Sequence, residues 1–478
     1  MGSRGGGEKR GKNRAIVDER SSFQDTPFER VSLCCRITDI FSFSELKRPY
    51  IDSDYRYWLA FTSAMLGGYA FDWLAFVLIL IISLSKRKEG KISSRFEISM
   101  LISLLVLAGA SYIIANHPSG PDVGFYVKAL TGFAQAPLNF YLNYAPYTYP
   151  PLQLYLSVIP YLLGLSPFNS LWFVSVVANL ASGLLLYLLL GRGLKGLVGA
   201  GLLLFNPYYA QYSIVNLTSE ALIAPFFLSA LLFFRKRDGA SGLFLGVSAL
   251  AKQEALYPAF ALFVKRLFEN RPRSVKFLVS ALLAFVLLSL PFLLFTPIQY
   301  LSIITQRPFG AQSLSFGGTS GGPAAFSTFW SVLNWASGVT AMNFNAIQAA
   351  RPFVWVVLMA LVVFVIFRRD LSSSHTSVLG YIPYILASDF GGGWYLIVFI
   401  PMLIPVYLDQ TLNRSERAAS LFMLLAMLPY RLADNYSSVT GSSPPYVFGD
   451  ALLGLASLYF IILAVRRSLN PEEWKGEA

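Results

Sequence analysis

Apolar residues in this chain come in long unbroken runs, without the helical or alternating spacing of a half-buried element. The runs cover 58–84, 98–115, 150–165, 171–190, 194–205, 217–234, 242–264, 277–295, 326–342, 353–367, 378–387, 394–408, 418–429 and 447–465. A helix that is apolar all round is buried or lies in lipid, and roughly 20 residues are needed to cross about 30 Å of hydrocarbon. Several runs fall short of that. The pattern therefore predicts spanning helices mixed with re-entrant or broken ones whose backbone is covered by neighbours. The expected fold class is all-α, a polytopic membrane bundle of about 11–13 transmembrane or re-entrant helices. Residues 1–55 are rich in Gly, Ser and charge without a sustained period and read as a disordered or cytosolic-type basic tail. Residues 56–478 read as one polytopic domain. No short apolar core of a cleavable signal precedes Tyr57. The run 58–84 is interrupted by Gly67, Gly68 and Asp72, so it reads as one tilted span or as a broken hairpin, and the side of the N-terminus stays open.

Composition agrees with the pattern. The chain is 55% hydrophobic and 13% charged, with a mean hydropathy of +0.54, more apolar surface than one water-soluble core can hide. Its 38 Lys and Arg against 26 Asp and Glu give a net charge of +12. In a soluble chain that would suggest nucleic acid. Here the basic residues cluster between apolar runs, at 86–95, Arg192 and Lys195, 235–237, 265–276, 368–369, Arg414 and Arg417, and 466–467, which is the signature of cytoplasmic loops. Nucleic acid is not expected as a partner; the bilayer is. The aromatic, Gly- and Ser-rich connections 116–150, 206–219, 297–325, 388–393 and 430–446 then face the other side. If both 150–165 and 171–190 crossed, Arg192 would fall on the wrong face, so one segment between 150 and 206 is not expected to cross fully. The only cysteines, Cys34 and Cys35, are adjacent and imply neither a disulfide framework nor a zinc site.

Candidate chemistry concentrates in the loop 116–150, which holds Asp122 and the tyrosines Tyr141, Tyr144, Tyr147 and Tyr149 before Pro150 and Pro151. Asp122 has the reach and chemistry of a general base. Following Gly120 and Pro121, it is equally placed to cap a helix. His117 and Lys128 flank it, either orienting substrate or simply solvated. Lys252 lies inside an apolar run beside Glu254, where ionisable residues are costly and serve function or pair with one another. Spacing leaves open a phosphate-binding lysine or a structural Lys252–Glu254 pair. Arg307 and Arg431 sit in loops assigned outside, against the positive-inside bias, and guanidinium suits phosphate; solvated interfacial charge is the alternative. Tyr126, Tyr147, Tyr149, Trp394 and Tyr395 are candidate substrate-binding aromatics, or anchors at the bilayer edge. Gly317, Gly318, Gly321 and Gly322 make no P-loop, lacking Gly-Lys-Ser/Thr. Asn216-Leu-Thr218 and Asn435-Tyr-Ser437 are sequons in loops expected outside.

The order of these features resembles the GT-C glycosyltransferases, and within them the first mannosyltransferase of GPI-anchor assembly and its prokaryotic relatives. The resemblance runs over about 98–265: a span, an acid, a tyrosine-rich stretch ending Tyr147-Thr-Tyr-Pro-Pro-Leu152, then Phe205-Asn-Pro207, Asn216-Leu-Thr-Ser-Glu220, Arg235-Lys-Arg237 and Gly242 to Pro258 with Lys252 inside. Ser388-Asp389 to Trp394-Tyr395 resembles the family's aromatic segment before a late span. The resemblance implies a GT-C-like bundle with a catalytic first external loop, Asp122 as the catalytic acid residue, and Glu220 and Asp389 at family acid positions, with helix capping as their alternative. It also implies inversion at the transferred sugar. The family's Asp-x-Asp-Tyr is here Asp122-Val-Gly-Phe-Tyr126, without the second acid, which puts a two-acid metal grip in doubt. No cofactor is certain, and a divalent cation stays open. Asp52-Ser-Asp54-Tyr55 precedes a span and reads as coincidence.

The function expected is transfer of a hexose, mannose favoured, from a polyprenyl-phosphate donor to a lipid- or protein-linked glycan on the non-cytoplasmic face. The membrane would be the cell membrane in a prokaryote and that of the endoplasmic reticulum in a eukaryote. A transporter of lipid-linked saccharides would instead concentrate ionisable groups at the bilayer midplane in discontinuous helices. A non-catalytic subunit of a glycan-assembly complex would fit a lost second acid.

Overall fold

The structure is a computed structural model that describes residues 69–85, 93–114, 123–144, 147, 149–309, 351–387, 393–429 and 444–470. All belong to the unit Trp58–Ala478. Every regular element among them is helical, as the apolar runs predict. The 1–55 tail, the expected run 326–342 and the sequon at Asn435 lie outside the described residues.

Among the described residues four helices are long and apolar enough to cross a membrane: Ser94–Ile114, Pro167–Leu189, Arg271–Phe295 and Phe448–Leu469. Pro207–Val215 and Ser219–Phe234, bent by 109°, add a fifth if they form one broken span. Shorter apolar helices include Leu152–Leu162, Gly193–Leu204 and Asp238–Ala251. Leu152–Leu162 has 11 residues and at 1.5 Å per residue reaches only about 16 Å. Between 150 and 206, it and Gly193–Leu204 are the segments too short to cross alone.

Local chemistry sets the helix boundaries. Ser166 accepts from Asn169 N at 3.1 Å with Pro167 behind it, and Asn270 accepts from Arg273 N at 3.1 Å with Pro272 in the first turn. Each is a favoured N-cap followed by proline where no donor is lost. Pro167–Leu189 ends in a turn where Gly191, Arg192 and Gly193 all take positive φ. Glu97 closes that turn, accepting from Gly193 N and Tyr187 Oη, and Tyr112 Oη donates to Leu204 O at 2.6 Å. These bonds hold Ser94–Ile114 against Gly193–Leu204.

Two sequence expectations change here. The run 242–264 is two helices, Asp238–Ala251 and Leu256–Glu269, separated by Lys252 in extended conformation (φ −166°, ψ 152°) and a 3₁₀ turn, Gln253–Ala255. The connection 206–219 is no open loop: Pro207–Ala210, a π turn Gln211–Val215 and a 3₁₀ turn Ser219–Leu222 follow one another almost wholly buried. Irregular backbone at this depth is tolerated only inside protein. Thr218 of the first sequon is buried and donates to Tyr212 O at 3.0 Å, while Asn216 is half-buried.

The basic stretch 265–276 is likewise folded. Lys265 and Arg266 are buried in the last turns of Leu256–Glu269. Arg266 Nε lies 2.9 Å and Arg273 Nε 2.7 Å from Asp238, and Lys265 Nζ lies 2.7 Å from Glu269 and 3.2 Å from Asp370. Buried cations persist only when so paired. The outer surface is the reverse: Val279, Leu283, Leu287, Phe353 and Val357 are exposed, an apolar face whose solvent is lipid.

Candidate functional site

The charged centre of the fold forms where the helices break. Lys252, freed from the ladder by its extended backbone, forms an ion pair with Glu220, and both side chains are fully buried. Its partner is thus an acid 32 residues upstream, not the neighbouring Glu254 that spacing offered. Glu220 is brought there by the 3₁₀ turn after Leu217, a non-glycine residue at φ 54°. That strained conformation is held in place: Leu217 O accepts from Gln153 Nε2 at 3.1 Å, and Thr218 N donates to Tyr212 O at 3.1 Å.

Above the pair lies the tyrosine-rich stretch. Lys252 Nζ is 4.2 Å from the centre of the Tyr149 ring, within cation–π range. Tyr147 and Tyr149 meet edge to face at 5.5 Å, Tyr126 stacks on Tyr149 at 6.2 Å, and Phe125 stacks on Tyr147 at 5.8 Å. Tyr141 Oη donates to Tyr149 O at 2.7 Å and its ring meets Phe292 at 4.8 Å. These rings are buried against one another, so the bilayer-anchor reading does not describe Tyr126, Tyr147 or Tyr149. Burial, followed by Tyr149, Glu220 and Tyr300, pushes the Tyr147 phenol well above its ordinary range, so it stays protonated. Its hydroxyl has no hydrogen-bond partner.

The same holds for Glu220 Oε2, Glu254 Oε2, Gln153 Oε1 and Ser219 Oγ, all buried. Unsatisfied buried polar atoms are rare in native proteins and mark an ion, water or ligand position. The carboxylate and amide oxygens only accept, so a group that donates hydrogen bonds, such as a hydroxyl, would satisfy them.

Three further segments converge here. Gln253 Nε2 donates to Ile304 O at 3.4 Å, joining the break to helix Pro297–Phe309, on which Arg307 lies one turn further. The 3₁₀ turn Gly393–Val398, carrying Trp394 and Tyr395, packs on both Ser219–Leu222 and Gln253–Ala255. Tyr381 lies within electrostatic range of Glu254 and Glu220. The side chains of Arg307, Trp394 and Tyr395, and all of Asp122, His117, Asp389 and Arg431, lie outside the described residues. Helix Val123–Gln135 begins one residue after Asp122; its buried face is Tyr126, Ala129, Leu130 and Phe133, and Lys128 is exposed. Lys128 is therefore not brought to the pair. Gln153 and Tyr381 went unnoticed in the sequence. The signal for Gln153 was an amide inside an apolar run just past Pro150 and Pro151. Among the described residues no group of three or more His, Cys, Asp or Glu is arranged to hold a metal.

No protein-family model matches the chain, and no curated protein matches it. Among solved structures it is similar to the crystal structure of ArnT from Cupriavidus metallidurans bound to undecaprenyl phosphate, at 14% identity, covering 79% of this chain and 78% of that one with a TM-score of 0.44.

Proposed function

We propose that this chain is a membrane glycosyltransferase that moves a hexose, mannose favoured, from a polyprenyl-phosphate donor to a lipid- or protein-linked glycan on the non-cytoplasmic face. The observation that carries the reading is the buried Lys252–Glu220 pair at two helix breaks, roofed by Tyr149 and ringed by buried acceptors without partners. A fixed ammonium in a low-dielectric site stabilises charge growing on a departing phosphate. Unpaired carboxylate and amide oxygens suit the hydroxyls of a sugar. Asp122, at the head of the helix that supplies Tyr126, takes the acceptor proton. Arg307 and Arg431 are the next candidates for phosphate, and Trp394, Tyr395 and Asp389 for the rest of the substrate.

Purified protein supplied with radiolabelled polyprenyl-phosphate-mannose and a panel of lipid-linked acceptors should form a labelled product. Folded protein that transfers to none of them, and uses no other polyprenyl-phosphate hexose, rejects the reading.

A second reading is favoured by one observation. An ionisable pair between discontinuous helices, one of them bent by 109°, is also how transporters build a substrate site. Movement of a lipid-linked saccharide across vesicle membranes without a new covalent product would select it.

A further inference from the structure

The Lys252 ammonium meets two segments of the chain, one at Glu220 and one at the ring of Tyr149. Those two segments are also tied to each other. Gln153 lies four residues after Tyr149, in the first turn of helix Leu152–Leu162. Its Nε2 donates at 3.1 Å to the carbonyl oxygen of Leu217, three residues before Glu220. One amide thereby joins the segment that carries the ring to the segment that carries the acid.

The bond falls where the backbone is least able to hold itself. Leu217 is at φ 54°, a left-handed conformation that a residue with a Cβ adopts at a cost and keeps only where its surroundings impose it. Its side chain is buried in the cluster of rings, and the next peptide is fixed by Thr218 N, which donates to Tyr212 O at 3.1 Å. On the other segment, Tyr141 Oη holds Tyr149 O at 2.7 Å. Gln153 is buried, and with its nitrogen committed to Leu217 its Oε1 has no hydrogen-bond partner. An aliphatic side chain would pack there without stranding an oxygen. Packing therefore does not account for the amide, whereas the bond to Leu217 does.

We propose that Gln153 is a positioning residue. By holding Leu217 in its left-handed turn it sets Glu220, and through Glu220 and Tyr149 it fixes the Lys252 ammonium for the polyprenyl phosphate, a role that rests on the function proposed above. A cation ordered during folding binds an anion more tightly than one that must be ordered on binding. Released from this frame, Lys252 keeps its charge and loses its placement, so the loss falls on affinity for phosphate in protein that is still folded.

The test uses the full chain in mild detergent with polyprenyl phosphate as the probe, its affinity measured by native mass spectrometry on folded protein. Gln153→Met, similar in size but without the donor, should lower the affinity about tenfold, and hydrogen exchange over residues 211–222 should quicken. Glycine takes a positive φ without strain, so in a Leu217→Gly background the same change at Gln153 should have little further effect. Equal loss in both backgrounds overturns the proposal, since the amide would then act on the ligand itself. Unchanged affinity in Gln153→Met overturns it too. Should Leu217→Gly fail to fold, unaltered exchange over 211–222 in Gln153→Met is the overturning result. Lys252→Met separates this role from the proposed phosphate site. Affinity lost there but kept in Gln153→Met rejects the positioning role alone; affinity unchanged in Lys252→Met, or no binding by the native chain, rejects both.

Discussion

The Lys252 ammonium holds the Glu220 carboxylate while lying 4.2 Å from the centre of the Tyr149 ring. One cation thereby joins three segments far apart in sequence, and each partner limits what the others can do.

Removing Lys252 alone should be costly. Lys252→Met leaves Glu220 buried without its counter-charge, a change expected to cost about 3–5 kcal/mol. The double variant Lys252→Met/Glu220→Gln should recover most of that, measured as the thermal midpoint in detergent, while Glu254→Gln should not rescue Lys252→Met. If Lys252 serves the donor phosphate, the double variant stays inactive. Normal transfer by it would take Lys252 out of the site.

Asp122→Asn should fold and insert normally yet lose transfer by about 10²–10⁴-fold, the usual weight of a positioned base. Asparagine caps a helix as well as aspartate does, so unchanged turnover would mean that Asp122 only starts the helix at Val123.

Sidedness can be read by labelling. With Cys34 and Cys35 replaced, a cysteine at Ser119 or Ser320 should react with an impermeant thiol reagent from the non-cytoplasmic side, and one at the exposed Ser94 should not. The opposite result would turn the site toward the cytoplasm and toward nucleotide-sugar donors.

Acid should loosen the fold through His375. This residue, on helix Ser373–Ala387 outside the candidate spans, is fully buried with both ring nitrogens unpartnered. Burial lowers its pKa to about 4, against the opposing pull of Glu416 and with Arg369, Asp409 and Arg467 also in range. The unfolded chain takes up this proton below about 6.5, so the stabilisation is complete above that pH and is lost as pH falls toward 4. Its size is about 3 kcal/mol. Unfolding midpoints measured from pH 7 to pH 4.5 should fall more steeply for the native chain than for His375→Leu; parallel curves would refute the assignment.

The helical class was legible because lipid demands apolar residues on every side, which no other element needs. The cost of Lys252 in an apolar run was legible too, but read as a charge within one continuous helix. That it breaks the helix, and pairs with Glu220, depends on a strained turn at Leu217 that no local pattern announces. The tyrosines were legible as candidate substrate-binding rings, but not apart from the alternative of anchors at the bilayer edge. A ring at a bilayer edge and a ring packed on other rings have the same composition, and only the fold separates Tyr147 and Tyr149 from the belt. Gln153 was missed because an amide in an apolar run carries no charge to draw notice.

Gly242 and Gly246 on helix Asp238–Ala251 face helix Arg271–Phe295 so closely that a Cβ at either would fall on the carbonyl oxygen of Phe277 or Ala281. Contact of backbone with backbone leaves no side chain that can yield by changing rotamer. Helix Asp238–Ala251, whose last residue immediately precedes Lys252, is in effect welded to a helix long and apolar enough to cross a membrane. If the proposed lipid-borne donor is bound at Lys252, the opening that admits it takes place on the other side of the break, in Leu256–Glu269 and the elements beyond it, with the ammonium staying behind as the fixed jaw of the clamp.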